Sequence, residues 1–289
     1  MKRAIRRLVG SLTGPKKYLF FVVLILVCIV ALCLGIYAQF FYKYSDTDVL
    51  MLGINIGSKK TAEEIDILKS NFNNLFTNTI IINSENVRTD KMEPSKELVY
   101  TGYNFADEDE NYFTVNAQIP ILNINHEKAK AINADIKSEF YDKANSVMRK
   151  KDGKTIYTVT YASFVNGNVL SIVVKSSLKE EGKAEKVTVK TYNYSIADNQ
   201  MVTLADLIRE KETTTEAVQT TITNDVKKAY TNAKIIADQY GTLYERDLSS
   251  DMYKVENTTT YFLTQDGYVY IVYAYGNSDY TNEMDIIIF

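Results

Sequence analysis

An uninterrupted apolar stretch near the start of the chain is the strongest feature of its hydropathy pattern. Residues 18–42 contain no charge, and every charged residue before them is basic: Lys2, Arg3, Arg6, Arg7, Lys16 and Lys17. As a helix rising about 1.5 Å per residue, this stretch can cross the roughly 30 Å hydrocarbon core of a bilayer. Bulky Phe40 and Phe41 stand where a signal peptide needs small residues for cleavage. The pattern predicts an uncleaved transmembrane helix over 18–42 and a cytoplasmic basic tail over 1–17.

Beyond this span, helical and strand-like patterns alternate. Apolar residues spaced by three and four predict helices over 61–76, about 125–149, and 216–230. Runs of β-branched and aromatic residues predict strands over 97–105, 112–119, 155–165, 168–176, 186–196, 201–203, 258–264, 268–275 and 284–289. Because tight turns such as Asn166-Gly167 join antiparallel strands, we expect an α+β fold. Its antiparallel sheet would carry helices packed on one face, preceded by one transmembrane helix.

The same pattern divides the outer part of the chain. The tract 83–96 is polar, shows no hydrophobic period and contains Pro94, which is typical of a linker. We therefore expect residues 43–110 to form a connector with a helix and the first strand. Residues 111–289 would then form the main extracytoplasmic α+β domain.

Charge and cysteine content limit the partners and the internal cross-links of that domain. The formal net charge of the chain is −3, and since the basic tail contributes +6, the remainder carries −9. An acidic excess argues against nucleic acid as a partner, because binding phosphates requires concentrated Lys and Arg. Both cysteines, Cys28 and Cys33, lie in the predicted span, so the outer part cannot form an internal disulfide. Its stability must come from its core.

Three segments, taken in order, resemble a known family. They are Gln118–Asn123 followed by Ala131–Ile136, Thr191–Ser195 followed by Met201–Ile208, and Tyr261–Gly267 with Tyr275 and the terminal Ile286–Ile288. Together they resemble the extracytoplasmic domain shared by PdaC-type peptidoglycan deacetylases and RsiV-type anti-sigma factors of Gram-positive bacteria. The resemblance covers residues 112–289 and implies an accessory domain only. The deacetylase domain, with its Asp and paired His metal ligands, has no counterpart here, and the basic tail is too short for an anti-sigma domain.

Two surfaces are candidates for contact with a ligand. The family often carries a His-containing turn where this chain has Glu180–Glu185; the histidine is missing, and Gly182 and Lys183 stand in that turn. The last predicted hairpin carries Tyr268, Tyr270, Tyr273 and Tyr275. Alternation along a strand places the first two on one face and the last two on the other, so one face must lie in the core and the other is a candidate for exposure. We favour the simpler interpretation that tyrosine suits half-buried strands.

Candidate chemistry is sparse. His126 is the sole histidine and has no nucleophile or metal-ligand pattern around it in the sequence. The run Asp107–Glu110 lacks the spacing and the glycine of an EF-hand loop and is typical of a solvated hairpin turn. Distant carboxylates such as Asp206 and Glu245 are the remaining candidates for the catalytic pair of a glycoside hydrolase. We therefore predict no catalytic residue, no metal, no cofactor and no enzymatic activity.

These features predict a single-pass protein of the cell membrane with a cytoplasmic N-terminus. Residues 18–42 would contact the lipid bilayer, and the outer domain would bind or sense a component of the bacterial cell envelope. The resemblance implies peptidoglycan or a lysozyme-like, wall-active protein as that component. One alternative is a structural or assembly subunit of a membrane protein complex. Another is a wall-modifying hydrolase that uses scattered carboxylates.

Overall fold

The computed structural model describes residues 50–51, 54–55, 61–76, 92–93, 96–240 and 244–289. The chain divides into two compact units, Met1–Leu68 and Lys69–Phe289. The predicted tail and transmembrane helix over 1–42, and nearly all of the predicted linker over 83–96, lie outside the described residues. Within the ranges described, no helix is long and apolar enough to cross a membrane.

The first described elements are short. Strands β1 (Leu50–Met51) and β2 (Ile54–Asn55) form an antiparallel ribbon. Helix α1 (Thr61–Ser70) follows, and a 3-10 helix spans Phe72–Phe76. The helix predicted over 61–76 is therefore confirmed in position, with a break at Asn71.

A six-stranded sheet forms the centre of the second unit. In spatial order its strands are β3 (Val99–Asp109), β4 (Phe113–Leu122), β5 (Thr155–Asn166), β6 (Val169–Glu180), β7 (Lys186–Ser195) and β8 (Gln200–Met201). Neighbours are antiparallel except β4 and β5, which are parallel. The α+β class is confirmed, but the expectation of a purely antiparallel sheet is wrong. Residues 123–154 are long enough for a crossover that returns the chain in the same direction.

That crossover supplies the helices on one face of the sheet. It contains α2 (Glu127–Ile136), a π-helical turn (Lys137–Tyr141) and α3 (Asp142–Arg149), which confirms the helix predicted over 125–149. The residues spaced by three and four are all buried against the sheet: Ala129, Ile132, Ile136, Phe140, Ala144 and Val147. The helical period of the sequence therefore marks the face that packs on the strands.

A second, three-stranded antiparallel sheet covers the opposite face. Its order is β11 (Met284–Ile288), β10 (Val269–Ala274) and β9 (Tyr261–Leu263). Helices α4 (Leu204–Glu210) and α5 (Thr215–Tyr240) pack on it through a separate core. Phe164 of β5 and Phe262 of β9 stack between the sheets with ring centroids 5.6 Å apart. The second unit is therefore layered as helices, large sheet, small sheet and helices.

The free edge of β7 is closed by a turn from the small sheet. The side chain of Asn277 donates to the Val189 carbonyl (3.1 Å) and accepts from the Val189 N–H (3.0 Å), as a neighbouring strand would. The Val187 N–H donates to the Thr281 carbonyl (2.9 Å). Gly276 comes so close that a Cβ on it would lie 1.8 Å from the Val187 carbonyl oxygen. These contacts protect an edge that would otherwise pair with other chains.

Candidate ligand groove at the edge of the central sheet

The tyrosines of the last hairpin do not form an exposed face. Tyr270, Tyr273 and Tyr275 are 0%, 6% and 0% exposed, and only Tyr268 is half-buried. The alternative that one face of this hairpin is exposed is wrong because β10 is the middle strand of a sheet covered on both sides. Tyr270 stacks on Phe262 with ring centroids 4.8 Å apart. Burial raises the pKa of Tyr273 to about 12.

The two predicted ligand surfaces also lie far apart. Asn166, at the end of β5, donates to the carbonyl of Gln265 (2.9 Å), so the turn that leads to Tyr268 lies beside the start of β6. Gly182 and Lys183 follow the opposite end of β6. A strand of 12 residues rises about 36 Å from end to end. The structure therefore does not bring Tyr268 together with Lys183.

Gly182 and Lys183 are both exposed, and Gly182 has a positive φ of 72° that the tight turn requires. The Lys183 ammonium lies 3.0 Å from Glu180, which Lys150 (2.5 Å) and the Tyr280 hydroxyl (2.7 Å) also contact. Hydrogen bonds from Lys150, Tyr280 and Lys183 lower the pKa of Glu180 to about 2. Lys183 therefore takes part in an ion-pair cluster that joins the end of β6 to Lys150 and Tyr280.

A groove of about 570 Å³ lies over β7, between the crossover helices and the small sheet. The helices contribute Asp135, Glu139, Phe140 and Lys143; the large sheet contributes Tyr157, Ser176, Leu178, Lys186, Thr188, Val189, Lys190, Thr191 and Tyr192; the far wall is Thr259, Thr260 and Asn277. β8 pairs with β7 only at Tyr194 and Ser195, so among the described residues no strand lies on that side of the rest of β7, and Asn277 of the turn that bonds to this edge forms part of the far wall. The lining of the groove is mostly hydroxyl, amide and charged groups.

An ion-pair cluster lies on the helical wall of the groove. The Lys190 ammonium lies 3.1 Å from Asp135 and 3.2 Å from Glu139, and the Tyr192 hydroxyl donates to Asp135 at 2.7 Å. Desolvation by burial opposes ionisation of Asp135, but the hydrogen bonds from Tyr192 and Lys190 prevail and lower its pKa. Both burial and the bond to Asp135 raise the pKa of Tyr192. The cluster therefore combines one ammonium, two carboxylates and a protonated phenol.

Hydroxyl groups line the floor of the groove. Ser176 and Thr188 share a 2.6 Å hydrogen bond across β6 and β7. Tyr157 lies behind them, 2% exposed, and burial raises its pKa. Thr259, on the far wall, is exposed. Such a surface can donate hydrogen bonds to a polar ligand and accept hydrogen bonds from it.

The residues of this cluster were not among the predicted contacts. Lys190 and Asp135 are 55 positions apart and meet only because the crossover helix lies across β7. One signal did exist in the sequence, because Asp135 and Tyr192 both stand inside segments that carry the family resemblance.

A second polar cluster is buried in the small-sheet core. Arg246 forms a bidentate pair with Asp285, with Nε–Oδ2 and Nη2–Oδ1 distances of 2.6 and 2.8 Å, and both side chains are 5% exposed. The Tyr275 hydroxyl donates to Asp285 (2.5 Å) and is 2.9 Å from the Tyr253 hydroxyl. Burial and the nearby carboxylate raise the pKa of Tyr275. Because this cluster is closed to solvent, it stabilises the fold rather than contacting a ligand.

The other candidate groups have local structural roles. The His126 Nδ1 accepts from the Lys128 N–H (3.3 Å) and caps α2. Asp206 forms a capping box with Thr203 at the start of α4, so it is not a free carboxylate. The acidic run predicted as a turn instead continues β3 as far as Asp109. In the part of the chain that the structure describes, no group of three or more His, Cys, Asp or Glu could hold a metal ion.

Comparison with known proteins gives distant structural neighbours. No family model matches the chain, and no curated protein matches it. It is similar to the crystal structure of a DUF3298 family protein from Pseudomonas aeruginosa PAO1, with 13% identity, a TM-score of 0.39, and coverage of 65% of this chain and 84% of that chain. It is also similar to a member of the DUF3298 family from Bacteroides fragilis NCTC 9343, with 12% identity, a TM-score of 0.28, and coverage of 56% and 74%. Both neighbours are DUF3298 family proteins.

Proposed function

We propose that this protein is a membrane-anchored, extracytoplasmic binding or sensing domain of the bacterial cell envelope, of the PdaC/RsiV-like type, and that it takes cell-wall material in the groove over β7. The groove is the observation that carries the proposal. The basic tail and the apolar span over 18–42 support the location, and the three family-like segments support the class.

The size and lining of the groove suit a wall fragment. Its 570 Å³ falls within the roughly 300–1,000 Å³ typical of ligand pockets. Sugars and short peptides need many hydrogen-bonding groups, and the groove offers hydroxyls, an amide and ammonium groups. The ligand would therefore be held by several weak polar contacts rather than by one deep apolar pocket.

The charge cluster supports binding rather than hydrolysis. A general acid that works near neutral pH needs a raised pKa, as one carboxyl of a glycosidase pair has. Hydrogen bonds from Tyr192 and Lys190 instead lower the pKa of Asp135. Glu139 contacts the same Lys190 ammonium at 3.2 Å. Both carboxylates therefore serve to hold Lys190 in place.

Retention on purified peptidoglycan sacculi tests the proposal. The full chain in detergent should co-sediment with sacculi. Thr259→Trp, which fills the groove from its exposed wall, should weaken binding by about tenfold, equivalent to about 1.4 kcal/mol. Thr220→Trp, at an exposed position on α5 away from the groove, is the matched control and should bind as the native chain does.

Two results would count against the proposal. If the native chain is not retained on sacculi, the proposal that cell-wall material is the ligand is wrong. Equal retention of Thr259→Trp and Thr220→Trp would place binding outside the groove. The chain has no tryptophan of its own, so the introduced indole also reports ligand contact by its fluorescence.

A further inference from the structure

The charges of the groove do not all cancel. Lys190 is shared between Asp135 and Glu139, at 3.1 and 3.2 Å, and these three groups together carry a net charge of −1. Lys143 and Lys186 also line the groove. Neither ammonium group has an ion-pair or hydrogen-bond partner among the residues that the structure describes. The groove therefore keeps two ammonium groups without a partner and a net charge of +1, in a chain whose outer part carries an acidic excess.

The two lysines stand on different walls. Lys143 belongs to α3, and Lys186 is the first residue of β7. A ligand lying in the groove would therefore meet an ammonium group from the helices and another from the sheet. The hydroxyls of Thr188 and Thr259 also line the groove and offer neutral donors. This arrangement favours an anion, because the lining has three lysines against two carboxylates and two of those lysines have no partner among the described residues.

We infer that the groove recognises a carboxylate-bearing ligand through Lys143 and Lys186, and that among wall components it selects peptides with free carboxylates over their amidated forms. This inference rests on the proposed function and names the chemical group that the same groove selects. Amidation replaces an anionic acceptor by a neutral amide, so it removes the attraction to both lysines while changing the size of the peptide very little.

Two synthetic peptides provide the probes. The first is L-Ala-γ-D-Glu-L-Lys-D-Ala-D-Ala with free carboxylates, and the second is the same peptide with every carboxylate amidated. The full chain in detergent should bind the free-carboxylate peptide about tenfold more tightly, since each exposed ion pair contributes only a small factor. This preference should fall as salt is raised, because exposed charges are screened.

A charge-matched pair of variants tests the two lysines. Lys143→Gln/Lys186→Gln should lose the preference between the two peptides. Lys227→Gln/Lys254→Gln changes the net charge by the same amount, removes two exposed lysines outside the groove and should keep the preference. Unchanged unfolding temperatures would show that both double variants are folded.

The outcomes separate this inference from the proposed function. Retention on sacculi with equal affinity for the two peptides, or an unchanged preference in Lys143→Gln/Lys186→Gln, would overturn the carboxylate inference alone. If the chain does not bind sacculi but binds the free-carboxylate peptide selectively, the carboxylate inference is supported and the proposal of a cell-wall ligand is wrong. Binding of neither would overturn both.

Discussion

The buried pair of Arg246 and Asp285 gives the sharpest test of what stabilises the small-sheet core. Asp285→Asn keeps the shape of the side chain but removes its charge and one of its acceptors. The Arg246 guanidinium would then be left beside an amide N–H₂ group, and the Tyr275 hydroxyl, now 2.5 Å from Asp285, would compete for the remaining oxygen. Helix α5 and strands β9 to β11 pack in the same core, so its stability depends on this contact.

The expected loss of stability in Asp285→Asn follows from the geometry of the buried ion pair. Breaking a buried ion pair by removing one partner costs about 3–5 kcal/mol. Glu283 remains 3.2 Å from Arg246 Nη1 and offsets part of that loss, so we expect the lower end, about 3 kcal/mol. For a domain of this size, about 1 kcal/mol shifts the unfolding temperature by roughly 2–4 °C, which gives a decrease of about 6–12 °C.

Thermal unfolding of the full chain in detergent, followed by far-UV circular dichroism, measures this effect. Glu283→Gln is the matched control, because the Glu283 carboxylate is 31% exposed and makes only one ion-pair contact with Arg246 among the described residues. Its cost should stay below about 1 kcal/mol. Equal unfolding temperatures for Asp285→Asn and Glu283→Gln would refute the argument that the bidentate pair dominates.

Two further predictions concern other parts of the second unit. Gly276→Ala should destabilise the protein by about 3 kcal/mol or more, because its Cβ would overlap the Val187 carbonyl and the turn must leave the β7 edge; an unfolding midpoint in urea equal to that of the native chain would contradict this. The pKa of Glu180 is lowered to about 2 from its usual 4.5, so its contacts stabilise the fold above about pH 4.5, and this stabilisation is lost as the pH falls toward 2. The unfolding temperature of Glu180→Gln should therefore lie below that of the native chain at pH 7 and approach it near pH 2, whereas a difference that does not change with pH would count against the ionised cluster.

Periodicity predicted the elements of the fold well where one face of an element is buried and the other is solvated. The helical spacing from Ala129 to Val147 identified the crossover helix and its packing face. The hairpin between β5 and β6 was found from Asn166-Gly167, although the observed two-residue turn is Gly167-Asn168, one position later. In both cases a local physical rule decides the structure, and the sequence contains all that the rule needs.

Which faces of the strands are covered by other elements depends on long-range packing, and hydrophobic periodicity does not indicate it. The parallel pairing of β4 with β5 follows from the path of the crossover, and no single segment encodes that path. All six residues of β10 are buried, because the strand lies between a sheet and helices. Tyrosine suits an exposed face and a buried one equally, so Tyr273 and Tyr275 could not be assigned from their residue type.

The candidate site was harder to predict for the same reason. Its charges come from two separate segments of the chain, 135–143 and 186–190, and the residues that meet are not close in sequence. Lys190 is one of many lysines, and only the fold shows that it lies between Asp135 and Glu139. The family-like segments marked the region of Asp135 and Tyr192 without indicating that the two side chains meet.

Hydrogen–deuterium exchange of the full chain in detergent, with and without the free-carboxylate peptide, tests most directly whether the groove is the binding site. We predict slower exchange on binding in residues 135–143 and 186–192, the helical wall and the β7 edge, with little change elsewhere. Unchanged exchange in both segments, or protection confined to the turn at 265–268, would contradict a ligand groove over β7.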